Sequence, residues 1–125
     1  MPKESYSVIL KKGINSFNKT IEVDSDKSIS IRSFLIGAIS NGISEISNVL
    51  ESDDVHSTVQ CLSKKLNIKI KKIGKKKYRI FGKGLGSLYA KKNSLLDFGN
   101  SGTCARLLIS ILSTTPGIKV RMTGD

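Results

Sequence analysis

Tryptophan is absent from this 125-residue chain, histidine occurs once, and aromatic residues make up 6% of it, so a core has to be built from Ile, Leu and Val. The two cysteines, Cys61 and Cys104, and the lone His56 have no metal-ligand spacing, which excludes a structural zinc set and leaves no metal site to expect. Two cysteines are also too few for a disulfide scaffold, and a reduced, cytoplasmic compartment fits them best. No apolar run reaches membrane-spanning length, and Met1 to Lys12 has no apolar stretch long enough for a signal peptide, so a soluble protein with no membrane partner is expected. Acidic residues are scarce, 10 against 21 basic ones, giving a net charge of +11.

With 38% hydrophobic and 25% charged residues, the chain lies near globular averages, which excludes wholesale disorder. A compact domain of this size buries roughly two-thirds of the surface its unfolded chain exposes. The basic excess raises a nucleic-acid-binding module as one reading. It is concentrated between Lys64 and Arg79, where Tyr78 and Phe81 are the nearby aromatics and neither sits in an RNA-binding signature. A solvated lysine-rich hairpin is the plainer expectation, with no nucleic-acid partner.

Two polar cassettes stand out instead, Asp26-Lys27-Ser28-Ile29-Ser30-Ile31-Arg32 and Gly99-Asn100-Ser101-Gly102-Thr103-Cys104-Ala105-Arg106, each running into an apolar helical stretch. Hydroxyl and glycine residues fall where each helix begins, so unpaired N–H groups and the positive dipole end face one spot. Lys27, Arg32 and Arg106 add full charges suited to phosphate and carboxylate. Ser28 and Ser30 read as capping or phosphate-binding hydroxyls, and Gly102 as a point where a ligand can approach backbone. From spacing alone, capped helices with surface charges remain the competing reading.

Around the cassettes, Tyr6–Leu10 and Thr20–Val23 read as strands about a turn at 13–18. The first cassette leads into a helix ending at Asn41-Gly42, followed by a short strand through Ile43, Ile46 and Val49. Ser52-Asp53-Asp54 caps a helix reaching Leu66, and Ile68–Ile73 and Tyr78–Phe81 form a hairpin around Gly74-Lys75-Lys76. Gly82 to Gly86 reads as a loop, 95–98 as a strand, Thr103–Leu112 as a helix and Ile118–Met122 as a strand after Pro116-Gly117. Arg32 and Arg106 occupy matching places after their cassettes, as if one strand-loop-helix element were used twice. Because the second unit stops in mid-pattern at Thr123-Gly124-Asp125, the sequence reads as part of a longer protein. Cys104, with no base nearby, is expected to pack rather than react; Cys61 is expected to be inert and His56 solvent-facing.

From about residue 20 to 125 the chain resembles the EPSP synthase family, 3-phosphoshikimate 1-carboxyvinyltransferases. The resemblance is carried in order by Asp26-Lys27-Ser28-Ile29-Ser30 with Arg32, by Asn48 to Val55, by Gly82 to Gly86, by Asp97 to Thr103 with Arg106, and by Thr123-Gly124-Asp125. It implies an α/β fold of repeated βαβαββ units of the enolpyruvyl transferase type. This chain would hold about one and a half units plus an N-terminal strand pair. Residues 1–24 would belong to the distal domain of a two-domain enzyme and 25–125 to part of the near, substrate-binding domain.

The resemblance further implies transfer of the carboxyvinyl group of phosphoenolpyruvate to the 5-hydroxyl of shikimate 3-phosphate, with release of phosphate and no cofactor. Lys27, Ser28 and Arg32 would bind shikimate 3-phosphate. Lys27, Gly102, Asn100 and Thr103 would bind phosphoenolpyruvate, and Arg106 would position the loop. The family's acid and base carboxylates would fall beyond Asp125, so catalysis would need the remainder of the same enzyme chain, and the 125 residues alone would be inactive. This sequence departs from the family's pattern at Asp24-Ser25, where Pro-Gly is usual, and at Ile31, where a polar residue is usual. A related transferase acting on a UDP-amino sugar resembles it less at Ser28 and at Gly99–Thr103.

Overall fold

A computed structural model describes residues 7–9, 11–13, 16 and 18–125. Helix α1, Lys27–Ile39, runs through the centre because it is apolar on nearly every side. It buries Ile31, Phe34, Leu35 and Ala38. Asp26 caps it by accepting the Ile29 N–H at 2.6 Å. Strands β1 (Asn41–Ile46), β2 (Lys69–Gly74) and β3 (Lys77–Lys83) form an antiparallel sheet in the order β1-β3-β2. Its inner face meets α1, with Ile80 fully buried and the Tyr78 ring edge-on to Phe34 at 5.3 Å.

On the other side of α1 lie α2 (Asp53–Gln60) and α3 (Gly102–Ser113). Helix α3 buries Cys104, Leu108 and Leu112, one stripe at four-residue spacing, as an amphipathic helix against a core requires. It is the crossover between two parallel strands, β4 (Ser94–Asp97) and β5 (Val120–Thr123), which pair from Ser94↔Val120 to Asp97↔Thr123.

The sequence-based expectations hold for the presence of these helices, for the hairpin and for the β4–α3–β5 unit, and fail in five places. The strand read through Val49 ends at Ile46, and Val49 is buried beyond it with its N–H donating to Lys76 O at 3.0 Å. Thr20–Val23 is not a strand: Ile21 and Val23 are 74% and 77% exposed, with no partner strand or apolar face among the described residues, and an isolated hairpin is marginal in water. Its proposed partner, Tyr6–Leu10, lies partly outside the described residues. Helix α1 stops at Ile39 with Ser40 as its cap, and Asn41-Gly42 opens β1, Gly42 at φ +96°. Helix α2 does not continue as an α-helix to Leu66 but widens into a π-turn at Cys61–Lys65, closed by Leu66 N–H donating to Cys61 O at 3.0 Å. Finally, Gly82 and Lys83 belong to β3 rather than to a glycine loop.

Two cations of the lysine-rich hairpin are held in ion pairs, while Lys71, Lys75 and Lys77 are exposed to solvent. Lys72 Nζ sits 2.6 Å from Glu51 Oε1, Arg79 pairs with Glu45, and Lys69 lies 4.8 Å from the centre of the Phe81 ring.

Candidate functional site

Lys27 is the first residue of α1, and its side chain crosses to the first turn of α2, placing Nζ 2.7 Å from Asp54 Oδ2. The Lys27 side chain is half exposed, whereas that of Asp54 is only 15% exposed. Ser28 is half-buried and Arg32 exposed one turn on. Ser30, read from sequence as a possible ligand hydroxyl, is taken up by the fold: its Oγ donates to Asp26 O at 2.8 Å and accepts the Leu50 N–H at 3.0 Å.

The second cassette is a tight turn followed by a capped helix start. Asp97 Oδ1 accepts the Gly99 N–H at 2.9 Å, and Ser101 Oγ accepts that of Cys104 at 3.3 Å. Gly102 opens α3, is exposed, and has free space where a side chain would stand. Asn100, Gly102, Ala105, Met122, Thr123 and Gly124 help to line a hollow of about 420 Å³ over this turn. The chain after β5 is tied to it by the Asp125 N–H, which donates to Gly99 O at 3.1 Å. Asn100 and Gly102 therefore share one hollow. Thr103 is half-buried beside it, and Arg106 is exposed, its guanidinium making no ion pair among the described residues.

This hollow is not lined by Lys27, Ser28 or Arg32. Instead, α2 connects the cassettes. Asp54 meets Lys27; one turn later, Ser57 Oγ would lie 3.2 Å from a Cβ on Gly99, and the buried Thr58 hydroxyl donates to Asp54 O at 3.0 Å and engages the Cys104 side chain. Both helix starts thus abut the first two turns of α2. Sequence reading missed Asp54 and Ser57. Their signal was present as an acidic first turn in Ser52-Asp53-Asp54, but it points equally to simple capping, and Ser52 makes no side-chain cap.

Cys104 is buried, and its thiol is pushed up by burial against a smaller opposing effect of the Thr58 hydrogen bond. Cys61 is pushed up to about 11, first by burial, while its Sγ donates to Asp97 O at 3.1 Å. Neither is poised as a nucleophile. His56 is exposed, with Nε2 3.0 Å from Gln60 Nε2. Among the described residues no group of three or more His, Cys, Asp or Glu side chains could hold a metal, and no helix is long and apolar enough to cross a membrane.

The EPSP synthase (3-phosphoshikimate 1-carboxyvinyltransferase) family matches residues 11–125. A 3-phosphoshikimate 1-carboxyvinyltransferase of Bacillus cytotoxicus is 43% identical over 106 residues, 85% of this chain and 24% of the relative. One from Desulforamulus reducens is 39% identical over 112 residues, 90% of this chain and 25% of the relative. Among solved structures, EPSP synthase from Acinetobacter baumannii superposes with a TM-score of 0.73 at 36% identity, over 84% of this chain and 23% of that one. The chain spans about a quarter of the length of the curated relatives it matches. The match runs through both cassettes and the α2 segment between them, and the mixed α/β fold agrees with it over most of the chain: this protein belongs to the EPSP synthase family.

Proposed function

We propose that the chain supplies the gripping surface for two anionic substrates in the transfer of a carboxyvinyl group from phosphoenolpyruvate to the 5-hydroxyl of shikimate 3-phosphate. The observation that carries this reading is the convergence of both helix starts on α2, with Lys27 held at one point and the open Gly102 turn beside the next. Lys27, Ser28 and Arg32 take the phosphate and ring of shikimate 3-phosphate. Lys27 reaches phosphoenolpyruvate as well, which lies against the backbone of Gly102 between Asn100 and Thr103, with Arg106 steadying the turn. The substrates repel each other, so fixed cations and aligned N–H groups must hold them together and stabilise charge as it moves.

The 5-hydroxyl oxygen gives its proton to a base and bonds to the enol carbon while the methylene carbon gains a proton from an acid. Expulsion of phosphate and loss of a methyl proton then restore the double bond. In this reading the acid and base come from the part of the enzyme outside this match, which covers 24% of the Bacillus cytotoxicus relative. In the same reading, residues 25–125 are part of one domain, built of successive βαβαββ units, and 1–24 join the other. A UDP-amino sugar would need a different grip at Ser28 and is the competing acceptor.

The test is a chimaera in which residues 11–125 replace the matching quarter of the Bacillus cytotoxicus relative, assayed for phosphate release. Turnover with shikimate 3-phosphate is expected, and Lys27→Ala should lower kcat/KM at least tenfold, as loss of a charge-assisted contact worth about 1.5–3 kcal/mol requires. A folded chimaera that uses only the UDP-amino sugar, or one indifferent to Lys27→Ala, overturns the reading.

A further inference from the structure

We propose that Asp54 is a positioning residue that aims the Lys27 ammonium, fixing the cation of the first cassette in register with the turn of the second. The proposal rests on the reading that Lys27 contacts substrate. Lysine is a point charge on a flexible four-carbon stem, so on its own it does not define where its charge sits. Asp54 does. Its side chain is 15% exposed against 48% for Lys27, and its backbone carbonyl is tied to the fully buried Thr58 through the Thr58 hydroxyl at 3.0 Å.

Neighbouring carboxylates are otherwise placed. Asp26 is occupied by the Ile29 N–H at 2.6 Å, and Asp53 is exposed and makes no ion pair among the described residues. An ammonium has three donors, so one held by Asp54 Oδ2 at 2.7 Å leaves two for ligand oxygens. The same helix carries Ser57, whose Oγ faces Gly99, so the distance from ammonium to the second turn is set by a rigid element rather than by a loop. With its Lys27 end half exposed, this ion pair contributes little to stability, which makes aim rather than folding its consequence.

The experiment is a double-mutant cycle in the chimaera: Lys27→Ala, Asp54→Asn and both together, with Asp54→Glu as the conservative variant and thermal midpoints to report folding. Asp54→Asn is expected to lower kcat/KM for shikimate 3-phosphate on the order of tenfold, and Asp54→Glu to lie closer to the parent. In the Lys27→Ala background, Asp54→Asn should change it by less than about twofold, because the residue it acts through is gone. Equal losses in both backgrounds, or parental kinetics for Asp54→Asn, overturn the proposal while leaving the role of Lys27 intact. Parental kinetics for Lys27→Ala overturn both. If Asp54→Asn does not fold, Asp54→Ser, which also removes the carboxylate, goes through the same cycle under the same criterion.

Discussion

Gly82 passes directly beneath Ser40: a methyl group on it would stand 2.2 Å from Ser40 O and 2.3 Å from Gly37 O. Here β3 meets the end of α1, and the Gly84 N–H donates to Ser40 O at 3.1 Å to tie the junction. Gly82→Ala must push strand and helix apart, at a cost of about 3 kcal/mol by the usual penalty of overpacking. Urea unfolding should show a lower midpoint with an unchanged slope.

Gly102 poses the opposite case. Nothing lies within 4 Å of where its side chain would be, and it occupies the first position of α3. Gly102→Ala should therefore leave stability unchanged or raise it by about 0.5–1 kcal/mol, since alanine loses less conformational freedom in a helix. In the chimaera it should raise KM for phosphoenolpyruvate at least severalfold, because a methyl closes the backbone approach. An unchanged KM would remove phosphoenolpyruvate from this turn.

Cys61 offers a probe of opening. With its thiol near 11 and its side chain buried, the thiolate at pH 8 is about one in a thousand even before access is counted. Iodoacetamide at pH 8 should leave native Cys61 unmodified over the time in which the urea-unfolded chain is fully alkylated, read by intact mass. Equal rates in the two states would mean that the π-turn carrying Cys61 opens readily.

What was legible in the sequence was what local chemistry decides. Both helix starts could be read because a side-chain oxygen three residues ahead of a free N–H needs no distant partner, and Ser101 does cap α3. The cap of α1, however, is Asp26 and not Ser28 or Ser30, since Ser30 lies inside the helix and is taken by Asp26 O and the Leu50 N–H. The hairpin followed from alternation around Gly74-Lys75-Lys76. Gly82 was misread because its glycine answers to Ser40 and Gly37, 42 and 45 positions earlier, and not to a turn. Thr20–Val23 has the composition of a strand, but a strand exists only against a partner. Asp54 looked like a first-turn acid until α1 brought Lys27 to it.

The two serines of the first cassette separate folding from binding. Ser30 is 5% exposed, and its Oγ joins Asp26 O to the Leu50 N–H, so Ser30→Ala leaves that amide without its partner. Leaving that part-buried donor unsatisfied should cost about 1 kcal/mol, the low end for a lost partner, visible as a lower urea midpoint. Ser28 is only half-buried on the first turn of α1, and Ser28→Ala should shift stability by less than about 0.5 kcal/mol. In the chimaera the order should reverse. Ser28→Ala should raise KM for shikimate 3-phosphate about tenfold, whereas Ser30→Ala, assayed below its unfolding midpoint, should leave KM close to the parent value. If Ser30→Ala carried the larger KM effect, the ligand would be gripped from the Leu50 side of α1, and Ser28 would be a surface residue.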